Sequence, residues 1–225
     1  MPFPHPVRAV LLDMDGTILD TETIYVGAMF AALEEMGFHL PERLVHAMIG
    51  LPGQECMALL RGEFGERFQH KAFMPVYVAH RTERMKGGIP VKPGTLELFD
   101  LIEAAGLKVA VATSSNRENA RVNLAAAGLL PRLAAVLTRD DVAVAKPDPA
   151  LFLKAAAAVG EAASVCLAVE DSHVGVRAAH AAGAMTVMVP DMLPPTEEIR
   201  GLCLHVVEDL HAVGALLRAS RSTIG

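Results

Sequence analysis

The stretch Arg8-Ala-Val-Leu-Leu-Asp-Met-Asp-Gly-Thr17 joins an apolar run directly to two carboxylates that stand one residue apart. Residues 10–12 have the continuous apolar character of a strand that is buried on both faces, as in a parallel sheet. Because a buried charge is costly unless it is paired, Asp13 and Asp15 require a cation, hydrogen-bond donors or a chemical role. In open α/β sheets the carboxyl ends of the strands bind ligands, so this stretch predicts a functional site.

The chain after this stretch divides into two kinds of pattern. Residues 20–88 carry apolar side chains at helical spacing, which predicts helices over about 21–36, 41–49, 54–64 and 66–85, with breakers at 51–53 and 87–90. From residue 91 onward, short apolar strands alternate with helices, which is typical of a parallel sheet. The sequence therefore predicts an α/β fold with a Rossmann-like core of residues 1–19 and 89–225, and an all-helical domain of residues 20–88 inserted after the first strand.

Polar clusters follow the predicted strands of the second part. Thr113 and Ser114 come directly after one buried strand, Glu170 and Asp171 after another, and Lys146 lies in the loop after a third. In a parallel sheet these ends fall on one edge, so residues 100 or more positions apart can meet in one cleft. Acids, a hydroxyl and a lysine suit phosphoryl transfer, which needs a nucleophile, a divalent cation, cationic help and donors for the phosphate oxygens.

Composition narrows the class of partner. The 225-residue chain has a formal charge of -6, whereas nucleic-acid binding needs clustered Lys and Arg. No apolar run reaches the roughly 20 residues that span a bilayer, and the amino terminus lacks a basic segment before an apolar one. Three isolated cysteines without CxxC spacing indicate reduced thiols. We expect a cytoplasmic protein, a monomer or weak homo-oligomer, with neither a nucleic-acid nor a membrane partner.

Four segments together carry a family resemblance: Asp-Met-Asp-Gly-Thr at 13–17, Val-Ala-Thr-Ser-Ser-Asn at 111–116, Ala-Lys-Pro-Asp-Pro at 145–149 and Val-Glu-Asp-Ser-His-Val-Gly at 169–175. In order and spacing they resemble the four motifs of the haloacid dehalogenase (HAD) superfamily. The likeness is to the branch that contains β-phosphoglucomutase and the small sugar-phosphate phosphatases. One such motif alone is weak, but all four at predicted strand ends are a strong signal. The resemblance implies the HAD fold, with residues 20–88 as its helical cap.

The resemblance also implies roles for the acidic residues. Asp13 would attack phosphorus and form an aspartyl-phosphate, and Asp15 would protonate the leaving alcohol and then accept a proton from water. Mg²⁺ would be held by the Asp13 carboxylate, the Asp15 backbone carbonyl and Asp171, with Glu170 bound directly or through water. Hard oxygen ligands and retained waters suit that ion.

The remaining motif residues would bind the phosphate group. Thr113 would donate to a phosphoryl oxygen, backbone N–H groups near Met14 and Ser114 would assist, and Lys146 would neutralise charge. Each has a plainer alternative when taken alone. Thr113 or Ser114 could serve as a helix N-cap, Lys146 could be a solvated loop lysine, and the acid pair at 170–171 could favour the following helix.

Within the superfamily the residues favour phosphate ester hydrolysis. Asp15 is present, whereas the haloacid dehalogenases lack this second aspartate. Phosphonatases use a cap lysine as a Schiff base, and nothing marks Lys71 or Lys86 for that role. Two cap features of the mutase are missing, since its histidine aligns with Tyr25 and its phosphate-gripping arginine with Gly53.

We therefore predict a Mg²⁺-dependent phosphatase of a small phosphorylated metabolite, a sugar or polyol phosphate. Two alternatives stay open. The first is a β-phosphoglucomutase-type phosphosugar mutase. The second is a non-enzymatic phospho-acceptor such as a receiver domain, which also combines acids, a hydroxyl and a lysine at strand ends.

Overall fold

The computed structural model describes residues 2–48 and 53–221. The chain forms two compact units, one made of the residues up to Asp20 and from Ile89 onward, the other of Thr21–Gly88. The strands are β1 (Ala9–Leu12), β2 (Lys108–Ala112), β3 (Ala135–Leu137), β4 (Cys166–Glu170), β5 (Met185–Met188) and β6 (His205–Val206). The helices are α1 (Thr21–Glu35), α2 (Glu42–Met48), α3 (Gly53–Phe64), α4 (His70–Met85), α5 (Thr95–Ala104), α6 (Arg117–Ala126), α7 (Ala150–Val159), α8 (His173–Ala181), α9 (Glu197–Leu202) and α10 (Leu210–Arg221).

All six strands lie in the first unit and form one parallel sheet in the order β3-β2-β1-β4-β5-β6. The α/β fold class that the sequence predicts is thereby confirmed. The order reverses between β1 and β4, and a reversal of this kind opens the crevice where doubly wound sheets bind ligands. Leu12 at the end of β1 is in register with Val111 on one side and Val169 on the other.

β1 is an apolar strand because both of its faces are covered. All four of its residues are fully buried. Ala9 and Leu11 belong to a core cluster with Phe152 of α7 and with Ala110 of β2, where small side chains let the helix approach the sheet closely. Burying a side chain such as that of Phe152 stabilises the fold by about 1.5–3 kcal/mol. The strand that precedes Asp13 is therefore held on both edges and on both faces.

The second unit is helical in the part that the structure describes. α1 packs along α4, and the core includes Leu33, Leu60 and Phe73, all of them fully buried. A run of aromatic contacts crosses this core, with the rings of Phe73 and Tyr77 stacked at 5.7 Å between centroids. A cavity of about 330 Å³ within this unit is lined mainly by apolar side chains, among them that of Met29.

Two local features differ from the sequence expectations. The helix expected over 66–85 is interrupted, because a 3-10 turn at Gly65–Arg67 is followed by extended backbone at Phe68, whose ring is buried in the helical core. The short helix α9 was not expected. It is started by Thr196, whose side chain accepts a hydrogen bond from the backbone of Ile199, and Ile199 is fully buried.

The expected breaker at 51–53 and the end of the helix expected to reach Ile49 lie partly outside the described residues. Among the helices of residues 2–48 and 53–221, none is both long enough and apolar enough to cross a membrane.

Candidate active site

Three neighbouring strands end at one edge of the sheet and deliver the polar residues found there. Asp13 follows β1, Thr113 follows β2, and Glu170 is the last residue of β4. The ladder continues just past the strand ends, since the backbone N–H of Asp13 donates to the carbonyl of Val169 at 3.0 Å. These side chains therefore start from the most regular part of the sheet.

Lys146 joins two of these carboxylates although it lies 133 positions from Asp13 in the sequence. Its Nζ donates to Asp13 Oδ1 at 2.6 Å and to Glu170 Oε1 at 2.5 Å. The side chains of Lys146, Asp13 and Glu170 are 2%, 9% and 0% exposed. Burial alone would lower the pKa of Lys146, but the charges of the two carboxylates outweigh it and raise that pKa. The lysine is thus a buried cation clamped between two acids.

Glu170 is fixed on its other side as well. Its Oε2 accepts hydrogen bonds from the backbone N–H of Asp171 at 3.2 Å, the backbone N–H of Ser172 at 3.2 Å and Ser172 Oγ at 3.0 Å. α8 begins here, with Ser172 as its N-cap. A Cβ at Gly175 would overlap the Glu170 carboxylate, so the glycine makes room for the acid.

Asp15 lies on the β2 side of the site. Its Oδ2 accepts hydrogen bonds from Ser115 Oγ at 2.7 Å and from Thr113 Oγ1 at 3.3 Å. The Ser115 backbone N–H donates in turn to Thr113 Oγ1 at 3.0 Å. Ser114 stands between them and is exposed, while Asn116 caps α6. Ser115, to which the sequence analysis gave no role at the site, donates the shorter of these two hydrogen bonds to Asp15.

Asp171 completes the acidic group. Its Oδ1 accepts a hydrogen bond from the fully buried Thr17 at 2.8 Å. Burial raises the pKa of Asp13 to about 8, an effect that Lys146 opposes and Glu170 increases. Burial, followed by the charges of Asp13 and Glu170, raises the pKa of Asp171 well above its ordinary value. The site therefore concentrates more negative charge than its single lysine compensates.

This donor set fits a hard divalent cation. Asp13, Glu170 and Asp171 each offer one carboxylate oxygen, and these oxygens lie within 4.8 Å of one another. A further carboxylate near this cluster has an oxygen that lacks a donor. Asp191 Oδ2 is buried without a hydrogen-bond partner among the described residues, and it lies beside Gly16, next to Asp15. Carboxylate oxygens are the ligands that Mg²⁺ prefers.

Six of the sequence-predicted residues lie at one sheet edge in two hydrogen-bonded groups. One joins Lys146, Asp13, Glu170 and Asp171, and the other joins Asp15 with Thr113, while Ser114 is exposed. Four residues around this edge were missed by sequence reasoning: Thr17, Ser115, Gly175 and Asp191. The first three stand inside the quoted motifs, so their position offered a signal, whereas Asp191 lies outside all four.

A Rossmann-like sheet whose strand ends gather acids, hydroxyls and a buried lysine is suited to phosphoryl-transfer chemistry. Comparison with known proteins supports this assignment. The sequence profile of the haloacid dehalogenase-like hydrolases matches residues 7–183, and the chain belongs to that family. The resemblance stated from the four motifs is therefore confirmed.

Named relatives of similar length share this family. The chain is 31% identical over 218 residues to the plasmid protein CbbY of Cupriavidus necator, covering 88% of this chain and 84% of that one. It is 29% identical over 227 residues to phosphoglycolate phosphatase of Nitrosospira multiformis, covering 98% and 100%. A solved structure of a CbbY mutant from Rhodobacter sphaeroides in complex with xylulose-(1,5)bisphosphate superposes with a TM-score of 0.72 at 25% identity, covering 94% and 99%.

Proposed function

We propose that this phosphohydrolase is a Mg²⁺-dependent phosphatase that hydrolyses a small sugar or polyol phosphate through an aspartyl-phosphate at Asp13. The observation that carries the proposal is the buried bridge from Lys146 to Asp13 and Glu170. This bridge at the switch point of a parallel sheet supports the proposal, because a carboxylate and a compact cation lie together where such sheets bind ligands. The relatives named above add support, because they are a phosphoglycolate phosphatase and a protein crystallised with a sugar bisphosphate.

Asp13 acts as the nucleophile in this proposal. Lys146 holds its Oδ1, and Oδ2 attacks phosphorus, so that an Asp13–phosphorus bond forms as the bond to the leaving oxygen breaks. Asp15 donates its proton to that oxygen and releases an alcohol. In the second half, Asp15 accepts a proton from water while the water oxygen displaces Asp13 from phosphorus. Inorganic phosphate leaves, and both aspartates return to their starting state.

Asp13, Asp171 and the backbone carbonyl of Asp15 would hold Mg²⁺, which supplies charge neutralisation for the phosphoryl oxygens when it is bound. We propose that Glu170 contacts the ion through water, because both of its oxygens already accept hydrogen bonds. Oε1 accepts one from Lys146, and Oε2 accepts three others. Thr113, the backbone near Ser114 and Lys146 hold the transferred phosphate. Ser115 keeps the Asp15 carboxylate in place.

Two other chemistries of the superfamily are less well supported. A Schiff-base lysine needs a depressed pKa, which burial provides, but Lys71 and Lys86 of the helical unit are exposed. A mutase must hold a second phosphate, and Tyr25 and Gly53 stand where the mutase has histidine and arginine. Residues 50–52 of that segment lie outside the described part. Membership of a hydrolase family also argues against the non-enzymatic phospho-acceptor.

The protein's setting forms part of the proposal. No disulfide joins Cys56, Cys166 and Cys203, all of which lie in the described part of the chain. Reduced thiols suit the cytoplasm, which we propose as the location.

The test is phosphate release from a panel of phosphorylated metabolites by the purified full chain with Mg²⁺. We expect many turnovers on sugar or polyol phosphates, reversible loss with EDTA, and abolition by Asp13→Asn. Asp100→Asn, on an exposed surface residue, serves as the matched control and retains activity. Conversion of a sugar 1-phosphate to its 6-phosphate without net release would show a mutase instead. Full activity of Asp13→Asn would refute the mechanism.

A further inference from the structure

Asp191 has an unusual environment in the loop that follows β5. Its side chain is only 13% exposed, and its Oδ1 accepts a hydrogen bond from Lys92 Nζ at 2.6 Å. Its Oδ2 is buried and has no hydrogen-bond partner among the residues that the structure describes. A buried acceptor on a charged group is costly to leave without a donor, more so than one on a neutral group. We therefore expect this oxygen to accept a hydrogen bond from a group outside the protein.

Asp191 Oδ2, the oxygen without a partner, lies close to Gly16. Asp191 Oδ2 lies 3.1 Å, and Asp171 Oδ2 2.5 Å, from the point that a Cβ of Gly16 would occupy. Gly16 adopts a φ of 86°, which favours glycine, and it directly follows Asp15. Asp191 and Asp171, one of the three clustered acids, therefore border the same residue, although Asp191 is not itself in that cluster.

A donor to Asp191 Oδ2 must be small, because Gly16 and Asp171 lie close by. Mg²⁺ dehydrates reluctantly and keeps several waters when it binds to a few carboxylates. Each of those waters carries protons that need an acceptor, and outer-sphere acceptors of this kind tune metal sites. A water of the ion's hydration shell has the size and the protons to be such a donor.

We propose that Asp191 is a positioning residue for the divalent cation: its Oδ2 accepts a hydrogen bond from a metal-bound water. The inference rests on the metal dependence proposed above. It gives Asp191 a part in cation binding, whereas a plain structural ion pair with Lys92 would contribute to stability alone.

The two members of the pair can be told apart by charge. Asp191→Asn removes a negative charge and weakens the acceptor beside the site. Lys92→Met also breaks the ion pair, but it leaves the negative charge in place and removes an opposing positive one. If the pair is only structural, both variants lose the same contact and behave alike. If Asp191 serves the cation, the two variants differ in cation affinity.

The experiment is calorimetric titration of the metal-free full chain with Mg²⁺, repeated with Mn²⁺ and electron paramagnetic resonance, in the absence of substrate. We expect Asp191→Asn to weaken cation binding at least tenfold, the lower end of what outer-shell substitutions cost. Lys92→Met should bind the cation at least as tightly as the wild type. The double variant Lys92→Met/Asp191→Leu leaves neither charge unpaired, and it should bind the cation as weakly as Asp191→Asn. It replaces Asp191→Asn in the comparison if that variant fails to fold.

Equal changes in cation affinity for Asp191→Asn and Lys92→Met, or no change in either, would overturn the inference while leaving the phosphatase proposal intact. Failure of the wild type to bind Mg²⁺ or Mn²⁺ would overturn both. The two failures are therefore distinguishable in one set of titrations.

Discussion

Removing Lys146 gives the most informative perturbation of the buried cluster. Lys146→Met replaces the side chain with an apolar one of similar length and leaves Asp13 and Glu170 buried without their shared cation. Loss of one partner from a buried ion pair costs about 3–5 kcal/mol. Because domains are stable by only about 5–15 kcal/mol, we expect a large fall in the free energy of unfolding. Urea unfolding of the metal-free protein, followed by circular dichroism, measures it.

Lys154→Met is the matched control for this substitution. Lys154 is exposed and donates to the backbone carbonyl of Asp141 at 2.5 Å, so its loss should change the free energy of unfolding by less than about 1 kcal/mol. A loss below about 1 kcal/mol for Lys146→Met as well would refute the reasoning, because it would show that the two carboxylates do not depend on the lysine.

The loss of unfolding free energy in Lys146→Met should also depend on pH, and the direction of that dependence can be derived. Burial raises the pKa of Asp13 to about 8, so the proton it binds stabilises the folded state fully below the unfolded value, and this contribution is lost as pH rises toward 8. Lys146 opposes that rise in pKa, so removing it enlarges the loss. The deficit of Lys146→Met relative to the wild type should therefore be smaller at pH 5 than at pH 8. A deficit that shrank with rising pH would contradict this account.

Three further predictions concern separate contacts. Gly175→Ala should cut phosphate release at least tenfold because its Cβ displaces Glu170, whereas Gly62→Ala, which meets nothing within 4 Å, should not. Ser115→Ala removes the 2.7 Å donor to Asp15 and should lower kcat more than it changes KM in steady-state assays; an unchanged kcat would contradict the assigned role. Burial raises the pKa of the Cys166 thiol to about 11, so that thiol should react slowly with a disulfide reagent at pH 8 until denaturant is added.

Much of the fold and part of the site could be predicted because their signals are local. The apolar run before Asp13 identifies a buried strand by itself, and strand ends in parallel sheets share one edge. That rule predicted that Lys146 and Asp13 lie at the same edge, and the resemblance to the HAD motifs implied that the lysine neutralises charge there. The interruption at Phe68 could not be predicted in the same way, because its extended backbone is stabilised by burial of the ring in the helical core.

Side-chain direction accounts for what the sequence missed in the site. Thr113, Ser114 and Ser115 are adjacent, and nothing in their order shows that Ser115 donates to Asp15 while Ser114 is exposed. The role of Asp191 could not be predicted from the sequence for another reason. Its partner Lys92 lies 99 positions away, and neither residue belongs to a motif.

The flanking of β1 by β2 and β4 has a consequence for turnover. Asp13, the proposed nucleophile, directly follows a strand that is hydrogen-bonded along both edges and buried on both faces. Its backbone is therefore restrained throughout the catalytic cycle. A strand bound in this way holds the reacting oxygen in place, so little ordering entropy has to be spent on it each time a substrate arrives. Amide protons of this strand should exchange with deuterium only when the whole unit opens.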